Sequence, residues 1–218
     1  MKILFLGDSI TQGAGATLEE YRYVDQVAKK CGIKALNYGL SGTRIGRQTK
    51  ASDNTLLDLD FRLRLTVAER DCDFVFIFGG TNDYGHGNLH LGDVNSQSEN
   101  TFSGQLKLLI NDLIKYYKKE KICFILPMQR YDEDGVFCKG KNSDEQGEPL
   151  IAYVNLMRKI LQESGIDFID LYKYEQFKPA SELGGEYMAD NVHPNDKGHT
   201  LISDIICDYL SKKFNHKN

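Results

Sequence analysis

Ser9 closes a short hydrophobic run as part of Gly7-Asp8-Ser9, and Asp190 stands three residues before His193 near the other end of the 218-residue chain. A serine hydroxyl alone attacks a carbonyl poorly at neutral pH. It needs an imidazole to take its proton, and the imidazole needs an acceptor to hold its tautomer. Serine, aspartate and histidine, in that order, are the parts for nucleophilic acyl transfer.

Two further segments could receive the negative charge that such a reaction develops. Asn37-Tyr38-Gly39-Leu40-Ser41-Gly42-Thr43 carries two glycines, and Gly42 could offer its backbone amide to an oxyanion. Gly79-Gly80-Thr81-Asn82-Asp83 offers Asn82, whose side chain has two N–H donors. Each segment alone also fits a plainer role. Ser9 could be a helix N-cap, Gly42 part of a strand-to-loop turn, and Asn82 the centre of an Asx turn. Asp190 and His193 could form a capped surface turn. A spacing of three predicts that they share one side of a helical turn. Pro194 then stops that turn, and Asn195-Asp196 caps the next helix.

The elements that would position these groups are legible as five strand-like runs, Ile3–Leu6, Ala35–Tyr38, Phe74–Phe78, Ile122–Leu126 and Phe168–Leu171. The third and fourth are nearly continuous apolar runs, as expected for strands covered on both faces. Helical periodicity predicts helices over Leu18–Lys30, Asn54–Ala68, Phe102–Tyr117, Leu150–Leu161 and Leu201–Phe214. Strands alternating with helices imply a parallel sheet with right-handed crossovers. Three strand ends then present Ser9, Gly42 and Asn82, and the Asp190–His193 pair follows the last strand, all on one edge. Two polar loops after strands, Tyr84–Asn100 and Tyr131–Pro149, are candidates for substrate contact at that edge. Ordinary surface loops would read the same way.

Length allows one well-filled α/β domain spanning residues 1–218. With 41% hydrophobic and 27% charged residues, the composition is that of a soluble globule. A net charge of −4 gives no footprint for nucleic acid or an anionic membrane. The lysines at 115–121 and 212–217 read as solvated helix ends. No apolar run reaches membrane-spanning length, and no signal peptide is read after Met1-Lys2, so a cytoplasmic location is expected. The five cysteines, Cys31, Cys72, Cys123, Cys138 and Cys207, form no CxxC pair and read as reduced thiols, mostly buried, with Cys138 in a polar loop. His86 and His90 have a metal-compatible spacing but no third ligand nearby. His199 falls on the last helix and His216 in the tail.

Taken together, the four blocks make the chain resemble the SGNH hydrolases, also called GDSL-type esterases and lipases, over its whole length. Gly7-Asp8-Ser9 matches the nucleophile block, Gly42 the oxyanion glycine, Asn82 the oxyanion asparagine, and Asp190-x-x-His193 the terminal block. Ile10 stands where the family name would have leucine, and Thr11 excludes the Gly-x-Ser-x-Gly elbow of other lipases. The resemblance implies a flavodoxin-like three-layer α/β/α sandwich on a five-stranded parallel sheet. It also implies metal-free and cofactor-free serine ester hydrolysis in a shallow, open site. The substrate would be a small-molecule ester, either an acetylated carbohydrate or metabolite, or a longer acyl thioester or lysophospholipid. The alternative from another class is a non-catalytic binding module, with Ser9 and Gly42 cradling a phosphate. The presence of a general base argues against it. The sequence sets no oligomeric state.

Overall fold

The computed structural model describes residues 1–131, 133 and 148–215. Five strands, β1 (Lys2–Gly7), β2 (Lys34–Gly39), β3 (Phe74–Phe78), β4 (Ile122–Leu126) and β5 (Asp167–Asp170), form one sheet in the order β2-β1-β3-β4-β5. Every pairing is parallel. The strand order reverses beside β1, between β2 and β3. In open α/β sheets a ligand crevice forms at such a switch point, outside the carboxyl ends of the strands.

Alternation along the strands decides which helix covers which face. Leu4 and Leu6 of β1, with Val75, Ile77 and Phe124, point to one side. There they pack on α3 (Phe61–Leu65), α5 (Phe102–Tyr116) and α6 (Leu150–Ser164). Ile3 and Phe5, with Phe74, Phe76, Phe78 and Ile125, point to the other. There they meet α2 (Tyr23–Cys31) and α7 (Asp196–Asn215). Both faces are therefore dry, which explains why β3 and β4 read as unbroken apolar runs. The result is the three-layer sandwich expected from the sequence. Among the described residues, no helix is long and apolar enough to cross a membrane.

Several boundaries differ from the periodicity reading, each for a local reason. The helix expected over Leu18–Lys30 is interrupted at Arg22, whose extended backbone separates a single 3-10 turn at Glu19–Tyr21 from α2. The one expected over Asn54–Ala68 is split likewise. Asn54 caps a 3-10 turn (Thr55–Asp58), and Asp60 then starts α3 afresh by accepting from the Leu63 amide at 2.9 Å. The last helix begins at Asp196, where Asn195-Asp196 is expected as its cap, one turn before the apolar periodicity that starts at Leu201, and Asn195 Oδ1 accepts from the Gly198 amide. Two short helices gave no periodic signal, α1 (Ser9–Gln12) and α4 (Thr81–His86). Both start directly at a strand end, and both carry residues of the candidate site.

Candidate active site

β1 ends at Gly7, and the chain turns at once into α1. Asp8, not Ser9, is the N-cap, and its Oδ1 accepts from the Ile10 amide at 3.0 Å. Ser9 is thus the first residue of the helix, where backbone amides have no intrahelical acceptor. Ser9 is 6% exposed. Its Oγ lies 3.0 Å from His193 Nε2. On the other side of the ring, His193 Nδ1 donates to Asp190 Oδ2 at 2.8 Å. That bond fixes the proton on Nδ1 and leaves the Nε2 lone pair facing the serine hydroxyl.

The Asp190–His193 segment is a bend, not the helical turn expected from the spacing. Asp190 Oδ1 accepts from the amides of Val192 (2.7 Å) and His193 (2.6 Å), and the chain then bridges back from Pro194 to Met188. One carboxylate therefore shapes the loop with one oxygen and holds the ring with the other. Burial alone would raise the Asp190 carboxyl. The hydrogen bonds from the His193 ring and from the His193 and Val192 amides outweigh it and hold the group below the usual carboxylate range.

Gly42 and Asn82 face the same edge. Gly42 has φ +74°, and a Cβ there would sit 2.3 Å from Leu57 Cδ2, so this position requires glycine. Among the described residues its amide has no acceptor in the protein. Asn82, in the first turn of α4, donates from Nδ2 to the Thr43 carbonyl at 3.0 Å, one residue from Gly42. The geometry thus unites Ser9, His193 and Asp190 in one hydrogen-bonded line, and ties Asn82 to the Gly42 loop. Such an arrangement can activate a hydroxyl and offer N–H groups to an anion.

The match to the GDSL-like lipase/acylhydrolase model runs over residues 5–201. The chain belongs to this family. It is a carboxylic ester hydrolase by that membership. Among solved structures, a protein from Lactobacillus plantarum is 26% identical with TM-score 0.78, covering 98% of this chain and 97% of its own. An acetyl xylan esterase is 24% identical with TM-score 0.67, covering 96% and 100%. A member of the lipolytic G-D-S-L family from Veillonella parvula is 18% identical with TM-score 0.66, covering 97% of this chain and 99% of its own. The last two likenesses carry the fold alone. No curated protein matches by sequence.

In this GDSL-family hydrolase, three supporting residues escaped the sequence reading. Arg64, on α3, is buried beneath the sheet edge. It donates to the Gly7 carbonyl and Thr43 Oγ1, each at 2.9 Å, and to the Tyr38 carbonyl. One guanidinium thereby joins the ends of β1 and β2 to the Gly42 loop. Burial lowers its pKa to about 10, leaving it charged at neutral pH. Asp83, next to Asn82, is also buried and accepts from the amides of Ile45 (3.0 Å) and Gly46 (2.8 Å). Burial raises its carboxyl to about 6 against those hydrogen bonds. Charged residues on short helices read as solvated, and only their position beside the site blocks hinted otherwise.

Asp8 is the third. It is fully buried, and its Oδ2 has no partner among the described residues. Burial, more than any neighbour, raises its carboxyl from the ordinary 3.8 to about 7. The unfolded chain loses this proton near the ordinary value, whereas the folded protein keeps it to about 7. Between those limits the folded state binds more protons, so Asp8 costs stability progressively as pH rises. The shift corresponds to about 4 kcal/mol. Asp8→Asn cannot ionise and can still accept from the Ile10 amide. Urea unfolding should find the variant gaining on the wild type by up to about 4 kcal/mol between about pH 4 and pH 8. A stability difference that stays flat over that range would refute the account.

Other expected residues lie elsewhere. His199 is buried on α7, stacked on Tyr23, with Nδ1 accepting from the Tyr23 amide and Nε2 donating to the Ala14 carbonyl. Burial pulls it down to about 4, so it is a neutral structural ring. His86 Nδ1 accepts from Arg44. Among the described residues, no group of three or more His, Cys, Asp or Glu side chains is placed to hold a metal. Tyr84, expected on the substrate rim, is instead buried against Tyr153. Tyr131 is exposed. Most of the Tyr131–Pro149 loop, with Cys138, lies outside the described residues, as does His216.

Proposed function

We propose that this hydrolase cleaves carboxylic esters through an acyl-enzyme on Ser9. His193 takes the Ser9 proton and later returns it to the leaving alcohol, and Asp190 holds the ring. The amides of Ser9 and Gly42, with Asn82 Nδ2, receive the oxyanion. The observation that carries this reading is the continuous line from Ser9 Oγ to His193 Nε2 (3.0 Å) and from His193 Nδ1 to Asp190 Oδ2 (2.8 Å). The helix start at Ser9 and the unpaired Gly42 amide support the oxyanion assignment.

The proposed substrates are short-acyl esters, acetyl above all, of a carbohydrate or small metabolite. A cleft of about 380 Å³ runs along the Gln12–Glu19 segment and reaches Ser41, the neighbour of Gly42. Gln12, Thr17, Glu19, Arg22 and Ser41 line it beside Ala14, Ala16 and Leu18, a mix of polar and small apolar groups that we read as suited to a hydroxyl-rich alcohol. Leu18 is its one large apolar side chain. A long acyl chain needs a continuous apolar groove, each buried methylene being worth about 0.8 kcal/mol.

Rates on p-nitrophenyl esters of two to twelve carbons test the substrate class. Under the short-acyl reading, kcat/KM is highest for acetate and falls with length. A steady rise would favour a lysophospholipase or thioesterase acting on longer chains.

A further inference from the structure

Cys31 is the last residue of α2, and Cys207 lies in the middle of α7. They are 176 residues apart in sequence, yet their Sγ atoms are 2.7 Å apart. A disulfide bond is about 2.05 Å long, so the pair needs a movement of only about 0.7 Å to close. Both residues are half-buried, whereas Cys72 and Cys123 are buried. A small oxidant can therefore reach this pair more readily than the other described thiols. We propose that Cys31 and Cys207 are an oxidisable pair that forms a reversible disulfide clamping α2 to α7.

The reaction balances with an organic disulfide such as oxidised glutathione as the oxidant. The Cys31 thiolate attacks one glutathione sulfur, breaking its S–S bond and expelling one glutathione thiolate, which takes up a proton. Cys207 then loses its proton, and its sulfur attacks Cys31 Sγ and expels the second glutathione. Two protein thiols are oxidised, and one glutathione disulfide is reduced to two thiols. Burial, and then the neighbouring Cys31, raise the Cys207 thiol to about 12, which keeps Cys207 protonated until the second step. The second step is intramolecular between sulfurs already in contact, so the mixed disulfide is short-lived.

The clamp has a defined place in the fold. Near the site α2 and α7 are already joined by the Tyr23 amide donating to His199, with Thr17, in the segment before α2, bonded to Asp196, and Lys30 near the end of α2 donates to Ser203 and Asp204 of α7. Cys31 and Cys207 would fasten the same two helices more than two turns beyond Tyr23. The closed loop spans most of the chain, a length that removes much freedom from the unfolded state. This changes the reduced-thiol expectation for these two residues from a resting description to one side of an equilibrium.

The test incubates the full-length protein with oxidised glutathione, followed by intact mass, peptide mapping and thermal melts. The expected product is a monomer lighter by two hydrogens, with Cys31 and Cys207 in one linked peptide pair. Its Tm should rise by about 5–10 °C and return to the starting value with dithiothreitol. Cys31→Ser should melt near the reduced wild type and show neither the mass loss nor the Tm rise. Free alkylation of both thiols after oxidation, a stable glutathione adduct, or a link through another cysteine would each overturn the proposal.

Discussion

Ser9→Ala should reduce turnover by about 10⁶-fold while leaving the melting temperature nearly unchanged. Among the described residues the hydroxyl's one hydrogen bond is to His193 Nε2, so its removal leaves no strand, cap or core contact there unsupported. His193→Ala should cost a similar factor, because each group acts only through the other. The double variant should then be no slower than either single one, since residues of one catalytic unit do not add. Stopped assays with p-nitrophenyl acetate supply the rates, and a fluorophosphonate probe reports the nucleophile. Wild type should be labelled at Ser9, and Ser9→Ala not at all. Residual activity within a hundredfold of wild type in Ser9→Ala would remove the serine from the chemistry. A double variant much slower than both single ones would instead break the unit into independent parts.

The strands were legible because burial on both faces leaves no other composition. Phe74–Phe78 and Ile122–Leu126 match their expected bounds, since each residue meets a helix on one side or the other. Edge strands and helix starts were less legible because polar residues there answer to local hydrogen bonds. Asp196-Lys197-Gly198-His199-Thr200 shows no apolar stripe, and only the Asn195-Asp196 cap marks it as the first turn of α7. The short α4 is hidden for a related reason. Its residues serve the site, with Asn82 holding Thr43 and Asp83 holding the amides of Ile45 and Gly46. Long-range bonds of this kind have no signature in local spacing.

The candidate site was legible in its reacting groups and not in their supports. Ser9, Gly42, Asn82, Asp190 and His193 lie within motif blocks whose residue types match a chemical task. Arg64 lies in Phe61-Arg62-Leu63-Arg64-Leu65, where alternate arginines look like a solvated helix face. Their fates differ through tertiary context alone. Arg62 pairs with Asp112 near the surface, whereas Arg64 turns beneath the sheet edge toward Gly7 and Thr43. Tyr84 was misplaced by the same gap, because aromatic residues beside polar ones read equally well as rim or core.

Asp190→Asn separates the two duties of the carboxylate. In the wild type, Oδ1 accepts two backbone amides and Oδ2 accepts from His193 Nδ1. Asparagine has one acceptor oxygen and one N–H₂ group. If its oxygen keeps the Val192 and His193 amides, the N–H₂ group faces Nδ1 and forces that nitrogen to accept. The ring proton then moves to Nε2, which points a donor at Ser9 and cannot take its proton. The opposite flip would set N–H₂ against two amide donors, so the loop itself selects the wrong tautomer. We expect kcat to fall about 10⁴-fold with little change in KM. Asp190→Ala leaves a half-exposed gap where water can accept from Nδ1–H, although the loop loses two hydrogen bonds. Asparagine should therefore be at least as damaging to kcat as alanine, while costing less in Tm. If Asp190→Ala is inactive and Asp190→Asn retains near-normal turnover, the carboxylate shapes the loop and does not set the tautomer.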